Sequence, residues 1–148
     1  MSLENIISEA IKTAMREKDR VALDSLRAVK SQILLLKTEA RGAEVSAEQE
    51  IAILQRMIKQ RKDSFEQFSA QGRQDLAEVE DAQMKVIEKF LPKQLSAEEL
   101  ETEIKNIISE TGAESIKDLG KVMGAASKAL AGKSDGKSIS EMVKKLLS

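Results

Sequence analysis

The sequence predicts an all-α protein, with a four-helix, bundle-like N-terminal part followed by a C-terminal three-helix bundle. Apolar residues recur every three or four positions along nearly the whole chain, which is the period of an amphipathic helix. No segment shows the alternation with period two that is typical of a half-buried strand. A single proline, Pro92, separates a region of long helical periods from a region of shorter ones.

Pro92 predicts the boundary between the two parts. Proline lacks a backbone N–H and disfavours the helical conformation at the preceding residue, so a helix that reaches Phe90 must stop. Ser96 and Glu99 then have the spacing of a capping box, which begins a new helix. We therefore predict an N-terminal subdomain over residues 1–91 and a C-terminal subdomain over residues 92–148. We expect a hinge at Pro92, a modest interface and an adjustable relative orientation.

The N-terminal part divides into four helices by its caps and glycines. Ser2, Asp19 and Ser46 are the expected N-caps of the first three, and Gly42 and Gly72 end the second and third. The predicted segments are 3–16, a second helix from Asp19 to Gly42, 47–70 and 74–90. The third helix has an inward stripe of Ile51, Leu54, Ile58, Arg61, Phe65 and Phe68.

Arg61 is a charged residue at an apolar position of this stripe. An unpaired charge in a core is costly, so the pattern predicts a largely buried Arg61 that pairs with an acidic residue of the fourth helix. Glu80 and Glu88 are the two candidates. We interpret this pair as structural and not catalytic.

The C-terminal part predicts three shorter helices. The first follows Ser96 and ends at Gly112, and the second runs from Ser115 to Gly132 with Ile116, Leu119 and Met123 turned inward. The spacing of Ser138 and Glu141 predicts the cap of the last helix.

Composition excludes several classes of chemistry. The 148 residues contain no Cys, His, Trp or Tyr, which removes thiolate catalysis, histidine triads and His/Cys metal sites. We predict no catalytic residue, no cofactor and no metal. With no signal peptide and no apolar run near 18 residues, the sequence predicts a cytoplasmic protein without a membrane partner.

Two short motifs resemble parts of a nucleotide site. Gly132-Lys133-Ser134 and Gly136-Lys137-Ser138 match the end of a P-loop, but Ser127 and Ala131 stand where its first glycine is required. The segment also follows a helix instead of a strand. Ser134 and Lys137 have the spacing of a serine–lysine nucleophile, yet they lie in a glycine-rich loop. A helix C-cap followed by a turn is the better interpretation.

A basic stripe on the sixth helix is more informative. Residues 115–148 carry 7 lysines against 3 acidic residues. Helical geometry brings Lys117, Lys121, Gly124 and Lys128 to one face, opposite the inward residues. A glycine inside a helix costs about 1 kcal/mol relative to alanine, which indicates a close approach at Gly124, flanked by Gly120. Either a neighbouring helix packs there, or a nucleic-acid backbone does while the lysines contact phosphates.

Motifs in the same order along the chain resemble the GatB/YqeY family, and in particular its stand-alone YqeY-like proteins. The matching segments are Lys59-Gln60-Arg61-Lys62-Asp63-Ser64, Phe68, Arg73-x-Asp75-Leu76, Phe90-Leu91-Pro92-x-Gln94-Leu95-Ser96, Gly120-Lys121-Val122-Met123-Gly124 and Gly132-Lys133-x-Asp135-Gly136. Phe90 stands where a tyrosine is common in the family.

The resemblance implies a four-helix part joined to a three-helix part. It also implies kinship with the C-terminal tail of the GatB component of the glutamine-dependent aspartyl/glutamyl-tRNA amidotransferase, which contacts tRNA, and with the N-terminal region of some glutaminyl-tRNA synthetases. The family label of carbon–nitrogen ligase with glutamine as amido donor belongs to the whole amidotransferase, whose catalytic domain this chain lacks.

The leading functional hypothesis is a non-catalytic module that binds tRNA or assists a tRNA-dependent enzyme in translation. Its expected contact surface comprises Lys117, Gly120, Lys121, Gly124, Lys128, Lys133 and Lys137. The alternatives are a subunit associated with an aminoacyl-tRNA amidotransferase or synthetase, and a protein–protein adaptor.

Overall fold

The structure is a computed structural model that describes residues 2–148. This part of the chain contains seven α-helices, one 3₁₀ turn and no strand, which confirms the prediction of an all-α protein. The helices are α1 (Leu3–Glu17), α2 (Arg20–Glu39), α3 (Ala47–Ala70), α4 (Gln74–Glu88), α5 (Ala97–Thr111), α6 (Leu119–Ala129) and α7 (Gly136–Leu147), and the 3₁₀ turn is Ile116–Asp118. The chain divides between Leu91 and Pro92 into two compact units, called here the N-terminal and the C-terminal unit.

Side-chain caps define where most helices begin. The Ser2 hydroxyl accepts a hydrogen bond from the Asn5 backbone N–H, and the Asp19 carboxylate accepts one from Ala22. Complete capping boxes start α3 at Ser46 and α5 at Ser96. Each cap satisfies an N–H group that the first turn of a helix leaves without an intrahelical partner. These four N-caps are the ones that the sequence predicts.

The N-terminal unit is built around α2 and α4. Helix α2 packs against α1 and α4, and α3 packs mainly along α4, whereas α2 and α3 contact each other less. The fully buried centre consists of Ile7, Val29, Ile33, Leu54 and Ile87. Polar contacts fix the start of α1: the Leu3 backbone N–H donates to Glu50 at 3.0 Å, and Glu4 pairs with Lys37.

The inward face of α3 differs from the predicted stripe. Ile53, Leu54 and Met57 are its buried residues, while Ile51 and Ile58 are only half-buried. The face is therefore rotated by about 60°, which is less than the 100° between consecutive residues of a helix. Beyond Met57, α3 buries no residue fully and packs mainly along α4, so its second half stays partly exposed.

Arg61 does not form the predicted ion pair. It is half-buried, its Nε donates to Oε1 of Gln83 at 3.2 Å, and its Nη1 donates to the carbonyl of Met57 at 3.2 Å. No ion pair joins Arg61 to Glu80 or Glu88 in the described chain, and Glu88 is exposed. The physical reason is exposure: the guanidinium keeps contact with water and needs only neutral acceptors.

This geometry lowers the expected cost of Arg61→Ala. Because no buried carboxylate loses its partner, the change should lower the free energy of unfolding by about 1–3 kcal/mol, for the loss of two half-exposed hydrogen bonds, and not by the 3–5 kcal/mol typical of a broken buried pair. Urea denaturation followed by circular dichroism measures the difference. Gln83→Ala is the matched control and should cost a similar amount. A loss above about 3 kcal/mol would show that Arg61 has a charged partner.

Helix α4 ends before the proline. Its last residue is Glu88, and two tight bonds follow, from the Phe90 N–H to the Ile87 carbonyl and from the Leu91 N–H to the Glu88 carbonyl, each 3.1 Å. The predicted helix to residue 90 is therefore two residues too long. Ala77 and Ile87 are the buried residues of α4, and Val79 is exposed.

In the C-terminal unit, α5, α6 and α7 each contact the other two around one core. Leu100, Ile104, Val122, Ala126 and Val143 lie at its centre. One prediction here was wrong. Ile116 is exposed because it belongs to the 3₁₀ turn and not to α6, and Val122 takes the expected inward role.

The start of α7 also differs from the prediction. The helix begins at Gly136, two residues before Ser138, because the Asp135 carboxylate accepts a hydrogen bond from the Ser138 N–H at 3.0 Å and serves as N-cap. Ser138 is thus inside the first turn of α7.

Candidate nucleic-acid interface

A capping box begins the basic segment. The Ser115 hydroxyl accepts from the Lys117 N–H at 3.3 Å, and Asp118 Oδ2 accepts from the N–H groups of Glu114 and Ser115 at 3.0 and 3.4 Å. These bonds fold residues 116–118 into a 3₁₀ turn that leads directly into α6. Lys117 therefore precedes the α-helix instead of lying within it, and its side chain is exposed.

Lys121, Gly124 and Lys128 all lie on the exposed side of α6. The two lysines are seven positions apart, which corresponds to about two helical turns and about 10 Å along the helix axis. The buried residues Val122 and Ala126 mark the opposite, inward side. The lysines at 121 and 128 therefore project from the same side of one helix, with bare backbone between them at Gly124.

The glycines of α6 face open space. A Cβ atom added at Gly120 or at Gly124 would meet no heavy atom within 4 Å. The interpretation that these glycines let a neighbouring helix pack closely is therefore wrong for the folded chain. No contact within residues 2–148 offsets the cost of a glycine within α6.

Lys133 lies in the loop that joins α6 to α7. Its carbonyl accepts from the Leu95 N–H at 2.9 Å, and its own N–H donates to the Leu130 carbonyl at 2.9 Å. The side chain of Gln94 donates to the carbonyl of Gly132, a buried glycine with φ of +77°. The loop backbone is thus held by residues just after Pro92, and the Lys133 side chain remains exposed.

Gln94 has a role that the sequence pattern does not reveal. It joins two motifs that lie 38 residues apart in the chain. Periodicity carries no information on such a contact. The only signal is that both segments belong to the motifs that resemble the GatB/YqeY family.

Lys137 lies exposed in the first turn of α7. The N–H of the following Ser138 is already bonded to the Asp135 carboxylate, which also places negative charge at this helix N-terminus. A phosphate would meet repulsion there. Gly136-Lys137-Ser138 forms the first turn of α7, whereas the sequence placed it in a turn that follows a helix C-cap.

All five predicted contact lysines are exposed, and none of them forms an ion pair within residues 2–148. Charge in the C-terminal unit is also segregated along the chain. Helix α5 carries Glu98, Glu99, Glu101, Glu103 and Glu110 against a single lysine, whereas α6 and α7 together carry five lysines against Glu141. The unit therefore presents a basic segment that is separate from its acidic helix.

One carboxylate modulates the basic segment. Hydrogen bonds from the backbone N–H groups of Glu114 and Ser115, with a smaller contribution from the Lys121 charge, hold the pKa of Asp118 below its ordinary value of 3.8. Asp118 is therefore ionised at neutral pH and offsets part of the Lys121 charge.

The fold and this surface define a class: over residues 2–148 the protein is all-helical and forms two compact units, and the second carries exposed lysines without ion pairs in that range. The family model for Yqey-like proteins matches residues 4–147. The chain therefore belongs to the Yqey-like protein family.

Curated relatives come from fungi. The chain is 35% identical over 92 residues to "Altered inheritance of mitochondria protein 41, mitochondrial" of Meyerozyma guilliermondii, covering 59% of this chain and 45% of that protein. It is 27% identical over 106 residues to the protein of the same name from Lachancea thermotolerans, covering 70% and 57%. The matches thus span about half the length of these relatives.

Within residues 2–148, no helix combines the length and the apolar character needed to cross a bilayer. The same residues contain no cluster of three or more acidic side chains able to hold a metal ion.

Proposed function

We propose that this protein is a non-catalytic helical module that binds tRNA through its C-terminal unit, either alone or in support of a tRNA-dependent enzyme. The contact surface comprises Lys117, Gly120, Lys121, Gly124, Lys128, Lys133 and Lys137. Phosphate contacts by lysine provide most of the affinity of a nucleic-acid interface and fix its register.

One observation carries the proposal: α6 has two helix-weakening glycines that face open space and lie among exposed lysines without ion pairs. A bare helix surface admits close approach of another molecule, and unpaired ammonium groups favour an anionic one. A polyanionic backbone satisfies both conditions.

A non-catalytic role follows from the available side chains. Without Cys and His, and with the P-loop-like segment capped by Asp135, the chain offers neither a glutaminase thiolate nor a phosphate cradle. A carbon–nitrogen ligase label would then belong to amidotransferases that contain further subunits. An aminoacyl-tRNA amidotransferase or synthetase is the partner class that we propose.

The direct test is an electrophoretic mobility shift with total tRNA at two salt concentrations. Binding that weakens steeply as salt rises is expected, since each lysine–phosphate contact releases counterions. Absence of any shift at low salt would overturn the proposal. Ammonia released from glutamine by the purified chain would support the amidotransferase alternative, and capture of one protein without RNA would support the adaptor.

Gly124→Ala tests the glycine separately. The new methyl group meets no neighbour, and alanine is the better helix former, so we expect the free energy of unfolding to rise by about 0.5–1 kcal/mol. Affinity for tRNA should fall because the methyl group stands between the helix and the nucleic acid. Thermal denaturation and the mobility shift measure the two effects.

Gly112→Ala is the control, because Gly112 has φ of +71° and alanine there is strained. This variant should lose stability without a specific loss of affinity. A destabilised Gly124→Ala with unchanged tRNA binding would contradict the assignment of Gly124.

We further propose that Pro92 is a hinge that leaves the relative orientation of the two units adjustable, and that the protein acts in the cytoplasm. Residual dipolar couplings measured in solution test the hinge. Couplings that fit one fixed orientation of the two units would contradict it.

A further inference from the structure

The C-terminal unit has an unusual set of side chains for a nucleic-acid surface. The three phenylalanines of the protein are Phe65, Phe68 and Phe90, and its last arginine is Arg73. Residues 92–148 therefore contain no aromatic ring, no guanidinium and no imidazole. Every cation of this unit is a lysine ammonium group.

This composition removes the side chains that stack on bases. Proteins that hold single-stranded nucleic acid stack bases on aromatic rings, at about 1–3 kcal/mol per base, or on arginine. Arginine or lysine can contact guanine edges in the major groove of DNA, but the major groove of duplex RNA is too deep and narrow for side chains to read. Lysine is a compact point charge without a stacking plane, so it suits phosphate oxygens better than bases.

Geometry adds a second restriction. Lys121 and Lys128 are fixed on one side of α6, about 10 Å apart along its axis, and Lys117 precedes them in a turn held by the Ser115 cap. A rigid array of charges gains most from a partner whose phosphates are equally fixed. A flexible single strand must lose conformational entropy to match it, and here no stacking energy compensates for that loss.

A double-helical stem holds its phosphates at fixed positions and can be bound without stacking on its bases. Two strands double the phosphate density of one, and duplex RNA is recognised mainly through its shape, its 2′-hydroxyls and its phosphates across a wide, shallow minor groove. The exposed backbone at Gly120 and Gly124 leaves room for a helix to approach such a groove closely.

We infer that the α6 surface binds the sugar–phosphate backbone of a double-helical RNA stem and does not read its bases. This inference rests on the proposed function and specifies the form of RNA that the surface takes. A folded RNA is then selected by the placement of its stems and not by a sequence in its loops.

Fluorescence anisotropy on the full chain tests the inference with three labelled probes. They are an RNA duplex of about 16 bp, one strand of that duplex alone, and a duplex of scrambled sequence. The length of about 16 bp is the length that RNA-binding domains that recognise duplex shape span. We expect the single strand to bind at least tenfold more weakly than the duplex, and the scrambled duplex to bind within twofold of the original. Lys121→Gln with Lys128→Gln should reduce the salt slope of log K for the duplex by about 1.8, from 0.9 per contact.

The outcomes separate the two proposals. A single strand that binds as tightly as the duplex, or a scrambled duplex that binds tenfold more weakly, would overturn the inference and leave RNA binding itself intact. An unchanged duplex slope in the double variant would remove α6 from the interface. Binding to none of the three probes and to no tRNA would overturn both proposals.

Discussion

Replacing Lys117, Lys121 and Lys128 together with glutamine is expected to weaken tRNA binding by two to three orders of magnitude at 0.1 M salt. Each lost phosphate contact should reduce the salt slope of log K by about 0.7 to 0.9, so three contacts reduce it by about 2.1 to 2.7. If the variant and the parent protein bind equally at 1 M salt, this change in slope gives a difference of about 2.1 to 2.7 in log K at 0.1 M salt, which is two to three orders of magnitude. Affinity measured at four salt concentrations gives the slope and the loss together.

The fold should tolerate the triple change, because all three side chains are exposed and none is in an ion pair within the described chain. Its melting temperature should remain near that of the parent protein. The matched control replaces Lys59, Lys62 and Lys89, which are exposed lysines of the N-terminal unit, and removes the same net charge. Equal losses in the two triple variants would mean that overall charge, and not the α6 surface, determines binding.

Helix starts could be predicted from the sequence because capping is local. A serine or aspartate reaches the N–H group two or three residues further on, so the signal and its effect lie within one turn. Ser46 and Ser96 illustrate this with complete capping boxes. Ser138 illustrates its limit, because Asp135 offers an acceptor three residues earlier and the helix begins there instead.

Inward faces were predicted less well, because they depend on neighbours that periodicity does not identify. The inward face of α3 is rotated by about 60° toward Ile53 and Met57. For Arg61, the sequence predicted the correct partner helix, α4, but the wrong residue on it. Gln83 lies one turn after Glu80, and a half-exposed guanidinium accepts a neutral partner as readily as a charged one.

The candidate site was predictable in part for the same reason. The apolar residues mark the buried side of each helix, so the helical pattern of the sequence suffices to predict that the lysines are exposed. Whether anything packs on Gly124 depends on the neighbouring helices, and only the structure excludes the packing alternative. The contact of Gln94 with the loop at Gly132 is tertiary and leaves no periodic signal.

Ile104→Ala is expected to lower the free energy of unfolding of the C-terminal unit by about 2–5 kcal/mol. Ile104 is 0% exposed at the centre of the core that α5, α6 and α7 share, so its truncation removes apolar contacts and leaves a cavity. A single core in so small a unit rarely supplies more than about 3–5 kcal/mol. A large fraction of this unit should therefore be unfolded at 25 °C, which loss of hydrogen-exchange protection at the amides of α6 would reveal.

Ile116→Ala provides the matched control, since it removes the same atoms from a side chain that is 47% exposed in the 3₁₀ turn before α6. A surface substitution of this kind should change the free energy of unfolding by no more than about 0.5 kcal/mol. The two variants also differ in their expected effect on tRNA. Ile104→Ala should abolish binding because the lysines of α6 lose their fixed spacing, whereas Ile116→Ala should preserve it. If the two variants unfold at the same urea concentration, Ile104 contributes no more to stability than the exposed Ile116 does, and the assignment of Ile104 to the centre of the core is wrong.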